Sequence, residues 1–233
     1  MLSDLDFKRE VFKNRDDGIT KLLSVLPAKK IKDDNWLIIV ASEMFVKNGE
    51  KMAEALEVDY DFLFTEYVFA PNNSECIIAC VSETQEIVLH SELIDSFGIS
   101  LDFVYADADR KYEDAIVSRV YKYRKGESVS SLKGRKVLIL DEGCETGIRA
   151  MTCIKTIING GAKAVAYAAP VLASNVFSFV EKVADEVFYV YKILDFVGAD
   201  FYYQTLDILE KESILDIIKS SKRFLPFKKQ EIN

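Results

Sequence analysis

The stretch "KVLILDEGCETGIRAMTCIKTI", residues 136–157, decides the fold. Its apolar run predicts a buried strand over 137–141, because such runs are typical of strands covered on both faces. Asp141 and Glu142 end that strand. A turn containing Gly143 and Gly147 follows and leads into apolar residues at helical spacing over 146–158. The stretch therefore predicts a strand that ends on two adjacent acids and turns at once into a helix.

Strands and helices alternate outward from this stretch, which is typical of a parallel sheet with crossover helices. Four further runs predict central strands: 37–41, 61–65, 163–169 (ending at Pro170) and 186–191. Helices are predicted over 14–26, 47–57, 107–125 and 212–221, with a short one after an N-cap at Ser91, and a hairpin over 76–82 and 86–90.

The predicted class is α/β, a mostly parallel twisted sheet with helices on both faces. We expect a single domain over 1–233, in which 67–126 form a small β-hairpin/helix subdomain, called the hood below. The charged helix 107–125 is interpreted as a solvated face of that hood.

Composition limits the classes of function. The 233 residues carry 38 acids against 30 Lys and Arg, a net charge of −8, which argues against a general nucleic-acid binder. No apolar run approaches the roughly 18 residues of a membrane span. The charged N-terminal stretch lacks the apolar region of a signal peptide. We therefore expect a cytoplasmic protein with no membrane partner.

Cysteine and histidine usage gives little sign of a metal site. Cys76 and Cys80 lie four residues apart in an apolar run, and His90 is the only histidine, so we expect no zinc site. His90 ends an apolar run and is interpreted as structural. Cys144 lies beside a predicted helix N-terminus, which lowers thiol pKa values. It is interpreted either as a catalytic thiol or, preferably, as a small residue that fills space.

The paired acids and the turn have several chemical interpretations. Carboxylates at a strand end can hold a divalent cation, accept hydrogen bonds from sugar hydroxyls or act as a general base. They can also simply mark where the chain leaves the core. A glycine-containing turn into a helix presents backbone N–H groups that suit a phosphate. The sequence lacks the P-loop and dinucleotide motifs, so the combination best suits a sugar phosphate.

The opening stretch resembles the ribose-phosphate motif of type I phosphoribosyltransferases, in which D-D-G-x-A-T-G-x-T follows an apolar strand. The chain looks closest to a bacterial group of that family. Four other segments are similar to that group in the same order: "NRDDGITKL", "FAPNNSECIIACVSE", "YKYRKG" and "ADEVFYVYKILDFVGADFYYQTLDI". The resemblance covers roughly residues 12–215.

The resemblance implies transfer of ribose 5-phosphate from phosphoribosyl pyrophosphate (PRPP) to a nitrogen nucleophile, with Mg²⁺, in a homodimer. It implies that Asp141 and Glu142 bind the ribose hydroxyls. It implies that the turn from Gly143 to Arg149 binds the 5-phosphate, with Thr146 and Gly147 matching the motif. Phe196 or Tyr202 would stack on a base, or else pack in the core or a dimer interface.

Three departures from the family pattern each add an acid: Glu145, Glu43 and Glu66. In the phosphate turn, Glu145 replaces a small residue and Arg149 replaces threonine. Arg149 could neutralise Glu145 four residues away, or contact the phosphate. Where relatives carry P-R-G-G after the first strand, this chain has Ser42, Glu43, Met44 and Phe45; where they carry Arg-Lys after the second, it has Glu66 and Tyr67.

These departures predict a degenerate pyrophosphate subsite. Residues larger than glycine restrict close backbone approach, and added acids repel an anionic ligand. We further expect the Glu145 carboxylate to lie where phosphate would lie, capping the 146–158 helix. Two hypotheses follow: a phosphoribosyltransferase with an unknown acceptor, or a non-enzymatic family member that binds a nucleotide or other small ligand as a regulatory or scaffolding dimer.

Overall fold

The computed structural model describes residues 12–206 and 211–228. The expected domain span of 1–233 and the resemblance span of 12–215 therefore include residues outside the described part. Eight strands are present in that part: β1 (Leu37–Val40), β2 (Asp59–Phe62), β3 (Thr65–Ala70), β4 (Asn73–Ser82), β5 (Ile87–Leu89), β6 (Lys136–Leu140), β7 (Ala164–Ala173) and β8 (Glu186–Ile193).

The described α-helices include five long ones: α1 (Arg15–Val25), α3 (Val46–Leu56), α5 (Leu101–Lys111), α7 (Ile148–Asn159) and α9 (Lys211–Ser220). The shorter ones are α2 (Ala28–Asp33), α4 (Ser91–Ser96), α6 (Val117–Arg124), α8 (Ser174–Val180) and α10 (Leu225–Lys228). Short 3-10 helices cover Glu43–Phe45 and Ala199–Tyr202, and a π-helical turn, Tyr112–Ile116, joins α5 to α6.

The main sheet has five parallel strands in the order β2-β1-β6-β7-β8. Alternate side chains enter two cores: Ile38 and Val40 pack in one with α1, α3 and α9, and Leu37 and Ile39 pack in the other with α7 and α8. A smaller antiparallel sheet has the order β3-β4-β5 and lies under α5 and α7. The predicted fold class is confirmed.

One predicted strand is wrong. The run 61–65 was expected to form one central strand, but β2 ends at Phe62 in the main sheet and β3 begins at Thr65 in the small one. Glu66 therefore lies in the small sheet and not at the end of a main-sheet strand. The apolar pattern did not reveal the change, because Leu63 and Phe64 between the two strands are also buried.

Three predicted boundaries also differ. β7 continues through Pro170 to Ala173, whereas Pro170 was expected to end it. Proline is tolerated there because the ladder to β6 has already ended at Ala168, so less backbone hydrogen bonding is demanded. The N-cap of α4 is His90 and not Ser91, and the helix expected over 107–125 begins earlier, after Ser100, whose hydroxyl accepts from the Phe103 N–H.

A buried ion cluster joins the two sheets. Arg124 of α6 is fully buried; its guanidinium lies 3.7 Å from Asp61 of β2 and bonds Glu83, which follows β4. Asp61 also accepts from the Ser130 N–H at 2.8 Å, and Glu83 from the Phe64 N–H at 3.0 Å. Burial raises the pKa of both carboxyls, and Arg124 opposes that rise. Removing one member would leave the others buried and unpaired.

No helix in the described part of the chain has both the length and the apolar character that crossing a membrane requires.

Candidate functional site

A cleft of about 600 Å³ opens at the carboxyl edge of the main sheet. Parallel α/β sheets bind ligands at this edge. One wall is the turn that follows β6, and a second is formed by 198–200. The hood supplies the remaining lining residues: Tyr67, Glu75, Cys76, Ile77, His90 and Leu93. The two acids and the phosphate-turn residues expected from the sequence all line this one cavity: Asp141, Glu142, Gly143, Cys144, Glu145, Thr146, Gly147 and Arg149.

The turn after β6 is fixed to its neighbours by backbone contacts. Cys144 forms an isolated parallel bridge with Leu172 of β7, through its N–H to Val171 and its carbonyl to Ala173. A Cβ at Gly143 would lie 2.6 Å from the Ala199 Cβ, so only glycine permits this approach. These contacts hold the backbone between the end of β6 and the start of α7 in one place.

The Asp141 carboxylate is buried and oriented by two donors. Its Oδ2 accepts from the Tyr167 hydroxyl at 3.0 Å, and its Oδ1 accepts from the Glu142 N–H at 2.9 Å. Tyr167 lies on β7 in register with Ile139 of β6, which places its ring beside the end of that strand. Because a carboxylate has about four acceptor positions, Asp141 retains capacity for sugar hydroxyls.

Glu142 is held by an arginine from another part of the chain. The Arg15 guanidinium, at the start of α1, lies 2.8 Å from Glu142 Oε2 and 3.7 Å from Asp200. The Tyr203 hydroxyl donates to the Glu142 carbonyl at 2.9 Å. Burial raises the pKa of Glu142 above its ordinary value, against the opposing effect of Arg15. Any ligand hydroxyl would therefore share this carboxylate with Arg15.

Helix α7 begins without a side-chain cap. Its N-cap is Gly147, at φ 77°, and no side chain of the described residues caps the first turn. The first N–H groups of any helix lack intrahelical acceptors, and the helix dipole adds partial positive charge there. The twelve-residue α7 therefore directs an anion-binding end into the cleft.

The expected role of Glu145 is corrected by the structure. Glu145 is exposed and does not cap α7. Its carboxylate oxygen Oε2 lies 4.0 Å from where a Cβ at Gly198 would stand, so it lies towards the 198–200 wall. The positive φ at Gly147, between Glu145 and the helix, separates this side chain from the first turn. The position expected for phosphate is thus not taken by this carboxylate.

Arg149 pairs with a different acid from the one expected. Within the described residues it has no ion pair with Glu145, and its Nη1 lies 4.0 Å from Asp141 Oδ1. Its guanidinium also lies 4.9 Å from the centroid of the Tyr67 ring, within the range of a cation–π contact. Arg149 therefore links the hood to the turn across the base of the cleft.

The segment after β1 has a different conformation from a glycine turn. Ser42 accepts from the Met44 N–H at 3.3 Å, and Glu43–Phe45 form a 3-10 helix. Within this fully described segment every φ is negative. Phe45 is fully buried in the core that contains α3. The large residues that replace glycines here have therefore become part of the core.

Arg119 reaches the acids that replace cations in this region. It comes from α6, and its Nη1 lies 3.3 Å from Glu43, while its Nη2 bonds Glu66. Together with Arg15 and Arg149, it brings positive charge to the edge of the sheet from elsewhere in the chain. The segment predicted to be a degenerate pyrophosphate subsite thus holds one arginine as well as two acids, and that arginine is already bound to both of them.

The remaining candidates are three packed residues and one, His90, that was interpreted as structural but lies at the cleft. Cys144 is buried, and burial, followed by the nearby Asp141 charge, raises its pKa to about 12, so the thiol stays protonated near neutral pH. Phe196 and Tyr202 pack on each other at 5.1 Å between ring centroids. Residues 198–200, rather than these rings, line the cleft. His90 lines it too, on the hood side.

No group of three or more His, Cys, Asp or Glu side chains in the described ranges could hold a metal ion. The donor set therefore does not form a metal site without help from a ligand. Any Mg²⁺ would depend largely on phosphate oxygens, which it commonly uses in proteins.

Sequence reasoning missed three residues that hold the acids in place: Arg15, Arg119 and Tyr167. Arg15 lies in "NRDDG", a segment whose pattern indicates helix capping and nothing about the site. Arg119 lies in the charged helix that was interpreted as a solvated face. Tyr167 interrupts a run of small residues on β7, and it is the one signal in the sequence that a reader could have used.

Comparisons with known proteins agree with this picture. No protein-family model matches the chain. Two proteins named "Putative phosphoribosyl transferase", from two strains of Mycobacterium tuberculosis, are each 27% identical over 138 residues, covering 59% of this chain. The matched part of the chain spans 31% of the length of these curated relatives.

Solved structures support the fold. The crystal structure of TT1426 from Thermus thermophilus has a TM-score of 0.68 at 21% identity, covering 88% of this chain and 96% of that one. The match to a purine phosphoribosyltransferase from Pyrococcus horikoshii covers 87% of this chain and 99% of that chain. Its TM-score is 0.44 at 14% identity, so it is no evidence of shared function. The chain is therefore similar in sequence, over 138 residues, to proteins named as putative phosphoribosyl transferases, and similar in fold to TT1426.

Proposed function

We propose that the cleft binds a ribose 5-phosphate group and that the chain is a phosphoribosyltransferase-like protein. One observation carries the proposal. The uncapped N-terminal end of α7, the turn 143–147 before it, and the Asp141 carboxylate line the same cavity of about 600 Å³. An anion-binding helix end beside a carboxylate matches a ligand with a phosphate at one end and hydroxyls at the other.

Each residue has a role in this binding. The N–H groups at the start of α7 would donate to the 5-phosphate, with Thr146 and Gly147 shaping the turn. Asp141 would accept from the ribose hydroxyls, and Tyr167 fixes the orientation of its carboxylate. Glu142 would contribute one oxygen while Arg15 holds the other. Arg149 is close enough to the turn to balance the charge of the phosphate.

The proposed reaction is transfer of the phosphoribosyl group from PRPP to a nitrogen acceptor. The bond from C1 of the ribose to the pyrophosphate oxygen breaks, the bond from C1 to nitrogen forms, and the pyrophosphate leaves with the electron pair. Positive charge develops on the ribose ring, which the carboxylates of Asp141 and Glu142 would stabilise. Bound together with PRPP, Mg²⁺ would supply positive charge that offsets the negative charge of the leaving pyrophosphate.

A second candidate function is favoured by the segment after β1. The 3-10 helix Glu43–Phe45 replaces the glycine turn of relatives and buries Phe45. A protein that keeps the ribose-phosphate site but not this turn would bind a nucleotide or another small ligand without catalysis, as a regulatory or scaffolding dimer. The two candidates share the ribose 5-phosphate site and differ in whether PRPP is turned over.

Calorimetry with ribose 5-phosphate tests the shared site. We expect binding by the wild type and its loss in Asp141→Asn, whose amide still occupies the same space but carries no charge. Glu54→Gln is the matched control, because Glu54 is an exposed acid on α3 away from the cleft. No heat from the wild type at millimolar ligand, or equal binding by Asp141→Asn, would refute the proposal.

Turnover separates the two candidates. The wild type is incubated with PRPP, Mg²⁺ and a panel of purine and pyrimidine bases, and pyrophosphate release is measured. Release that depends on a base and is lost in Asp141→Asn identifies a transferase. Binding of ribose 5-phosphate without any release identifies the non-enzymatic alternative.

A further inference from the structure

The guanidinium of Arg119 has all its nitrogens engaged. Arginine carries five N–H donors in a planar fork. Nε donates to the Ala115 carbonyl at 3.4 Å, and Nη1 lies 3.4 and 3.3 Å from the two oxygens of Glu43. Nη2 donates to the Thr65 carbonyl at 3.0 Å and to the Glu66 carboxylate. A phosphate could bind this arginine only by displacing one of these acceptors.

This cluster lies beside the ribose-phosphate turn. Val40 of β1 pairs with Leu140 of β6, so Glu43 and the Asp141–Glu142 pair leave neighbouring strands at the same edge. Adjacent strands lie about 4.8 Å apart. On the other side of β6, the Cys144–Leu172 bridge and the 198–200 wall cover the edge. A group extending along the edge from the turn would therefore extend towards β1.

The charge balance differs between these two places. The start of α7 offers backbone N–H groups without a side-chain cap. The region after β1 offers two carboxylates and one arginine, a net negative charge with its cation already used. A phosphate monoester needs only the N–H groups at the start of α7. A ligand with a second phosphorylated group also needs positive charge in the region after β1, where it instead meets two carboxylates.

We propose that Glu43, Glu66 and Arg119 are specificity-determining residues that restrict the cleft to ribose phosphates with one phosphate, such as ribose 5-phosphate or a nucleoside monophosphate. The two carboxylates occupy Arg119 as a diphosphate would. This inference rests on the proposed ribose 5-phosphate site and names its ligand class; of the two candidate functions, it favours the non-enzymatic one over transfer from PRPP. Arg119 acts here through the acids it holds: with it in place the three groups carry one net negative charge, and without it the two acids carry two.

The test compares two ligands in three variants. Dissociation constants for ribose 5-phosphate and for PRPP are measured by calorimetry at one fixed Mg²⁺ concentration. We expect the wild type to bind ribose 5-phosphate at least about tenfold more tightly than PRPP, a difference of about 1.4 kcal/mol. In Glu43→Gln/Glu66→Gln the freed Arg119 should shift this ratio towards PRPP by at least about tenfold.

Arg119→Gln gives a change of opposite sign, which a general structural defect would not produce. This substitution leaves Glu43 and Glu66 without their cation, so the preference for ribose 5-phosphate over PRPP should increase. The control is Glu54→Gln/Asp109→Asn, which removes two exposed acids and should leave the ratio at its wild-type value. Thermal melts confirm that each variant is folded before its ratio is used.

The outcomes separate this inference from the proposed function. Equal or tighter binding of PRPP by the wild type, or an unchanged ratio in Glu43→Gln/Glu66→Gln, overturns the specificity role while the ribose 5-phosphate site stands. A wild type that binds neither ligand refutes the proposed function, and this inference with it.

Discussion

The carboxyl edge of the main sheet has two neighbouring segments that differ in how far they keep the family pattern, and comparing them explains the site. After β6, residues 141–147 resemble the phosphoribosyltransferase motif in their acids and glycines, and they lead into a helix without a side-chain cap. After β1, the residues 42–45 have lost the glycines, form a 3-10 helix and bury a phenylalanine. Both segments follow paired strands in register, so the scaffold that positions them is the same.

The difference shows that a binding edge can change one subsite at a time. In the first segment, backbone N–H groups at a helix end are available to a ligand. In the second, the side chains satisfy each other and the core. Three substitutions test this contrast through the free energy of unfolding, and the first two also test it through ligand binding.

The largest effect is expected for Phe45→Ala. Phe45 is fully buried beside α3, and truncating such a side chain costs about 3–5 kcal/mol through lost packing and the cavity left behind. Binding of ribose 5-phosphate by the folded fraction should persist, because Phe45 does not line the cleft. Chemical denaturation and calorimetry measure the two quantities.

Phe97→Ala is the matched control for this prediction. Phe97 is 60% exposed on the hood, so its truncation should change stability by less than about 0.5 kcal/mol. A Phe45→Ala variant as stable as Phe97→Ala would mean that the segment after β1 is not part of the core, and the contrast between the two segments would fail.

An intermediate effect is expected for Gly147→Ala. Gly147 has φ 77°, and a Cβ there would lie 2.9 Å from the side chain of Val176. The strained conformation costs about 1–3 kcal/mol. Because the turn must shift to relieve it, binding of ribose 5-phosphate should weaken as well. Chemical denaturation and calorimetry again measure the two effects.

Gly98→Ala separates strain from site geometry. Gly98 also has a positive φ of 59°, but nothing lies within 4 Å of its added Cβ, and it does not line the cleft. We expect a stability cost there without any change in ligand binding. Equal binding by wild type and Gly147→Ala would show that the turn does not hold the phosphate.

The smallest effect is expected for Glu145→Gln. An N-cap residue costs about 1 kcal/mol when removed, but Glu145 is exposed and caps nothing, so its change in unfolding free energy should stay within about 0.5 kcal/mol. Asn14→Ala is the positive control, because the Asn14 side chain accepts from the Asp17 N–H at the start of α1. A loss at Glu145 as large as that at Asn14 would restore the capping role that the structure rejects.

Much of the fold was predictable because its strands are buried on both faces and read as continuous apolar runs. The order of helices and strands and the hairpin of β4 and β5 follow from that pattern. The division of 61–65 between two sheets did not, since buried residues continue through Leu63 and Phe64. The end of β7 was predicted wrongly at Pro170 for a related reason. Proline ends a strand only where a neighbouring strand needs the N–H that proline lacks.

The site residues were predictable only where they lie next to one another in the sequence. Asp141, Glu142 and the turn are contiguous, so their motif can be read directly. Arg119 meets Glu43 across 76 positions, and Arg15 meets Glu142 from an even more distant part of the chain, because the topology brings them together and no spacing rule does. The acids at Glu43 and Glu66 were visible in the sequence, but the arginine that pairs with both of them was not.

The buried cluster of Arg124, Asp61 and Glu83 bears on how freely the hood can move. It anchors α6, which also carries Arg119, to both the main sheet and the small sheet. Arg124 and Glu83 both belong to the hood, so moving the hood as a lid would separate them from Asp61 and leave buried charge without its partner, which is costly. The cluster therefore opposes a gating motion of the hood, so that discrimination among ligands falls to the shape and charge of the cleft walls.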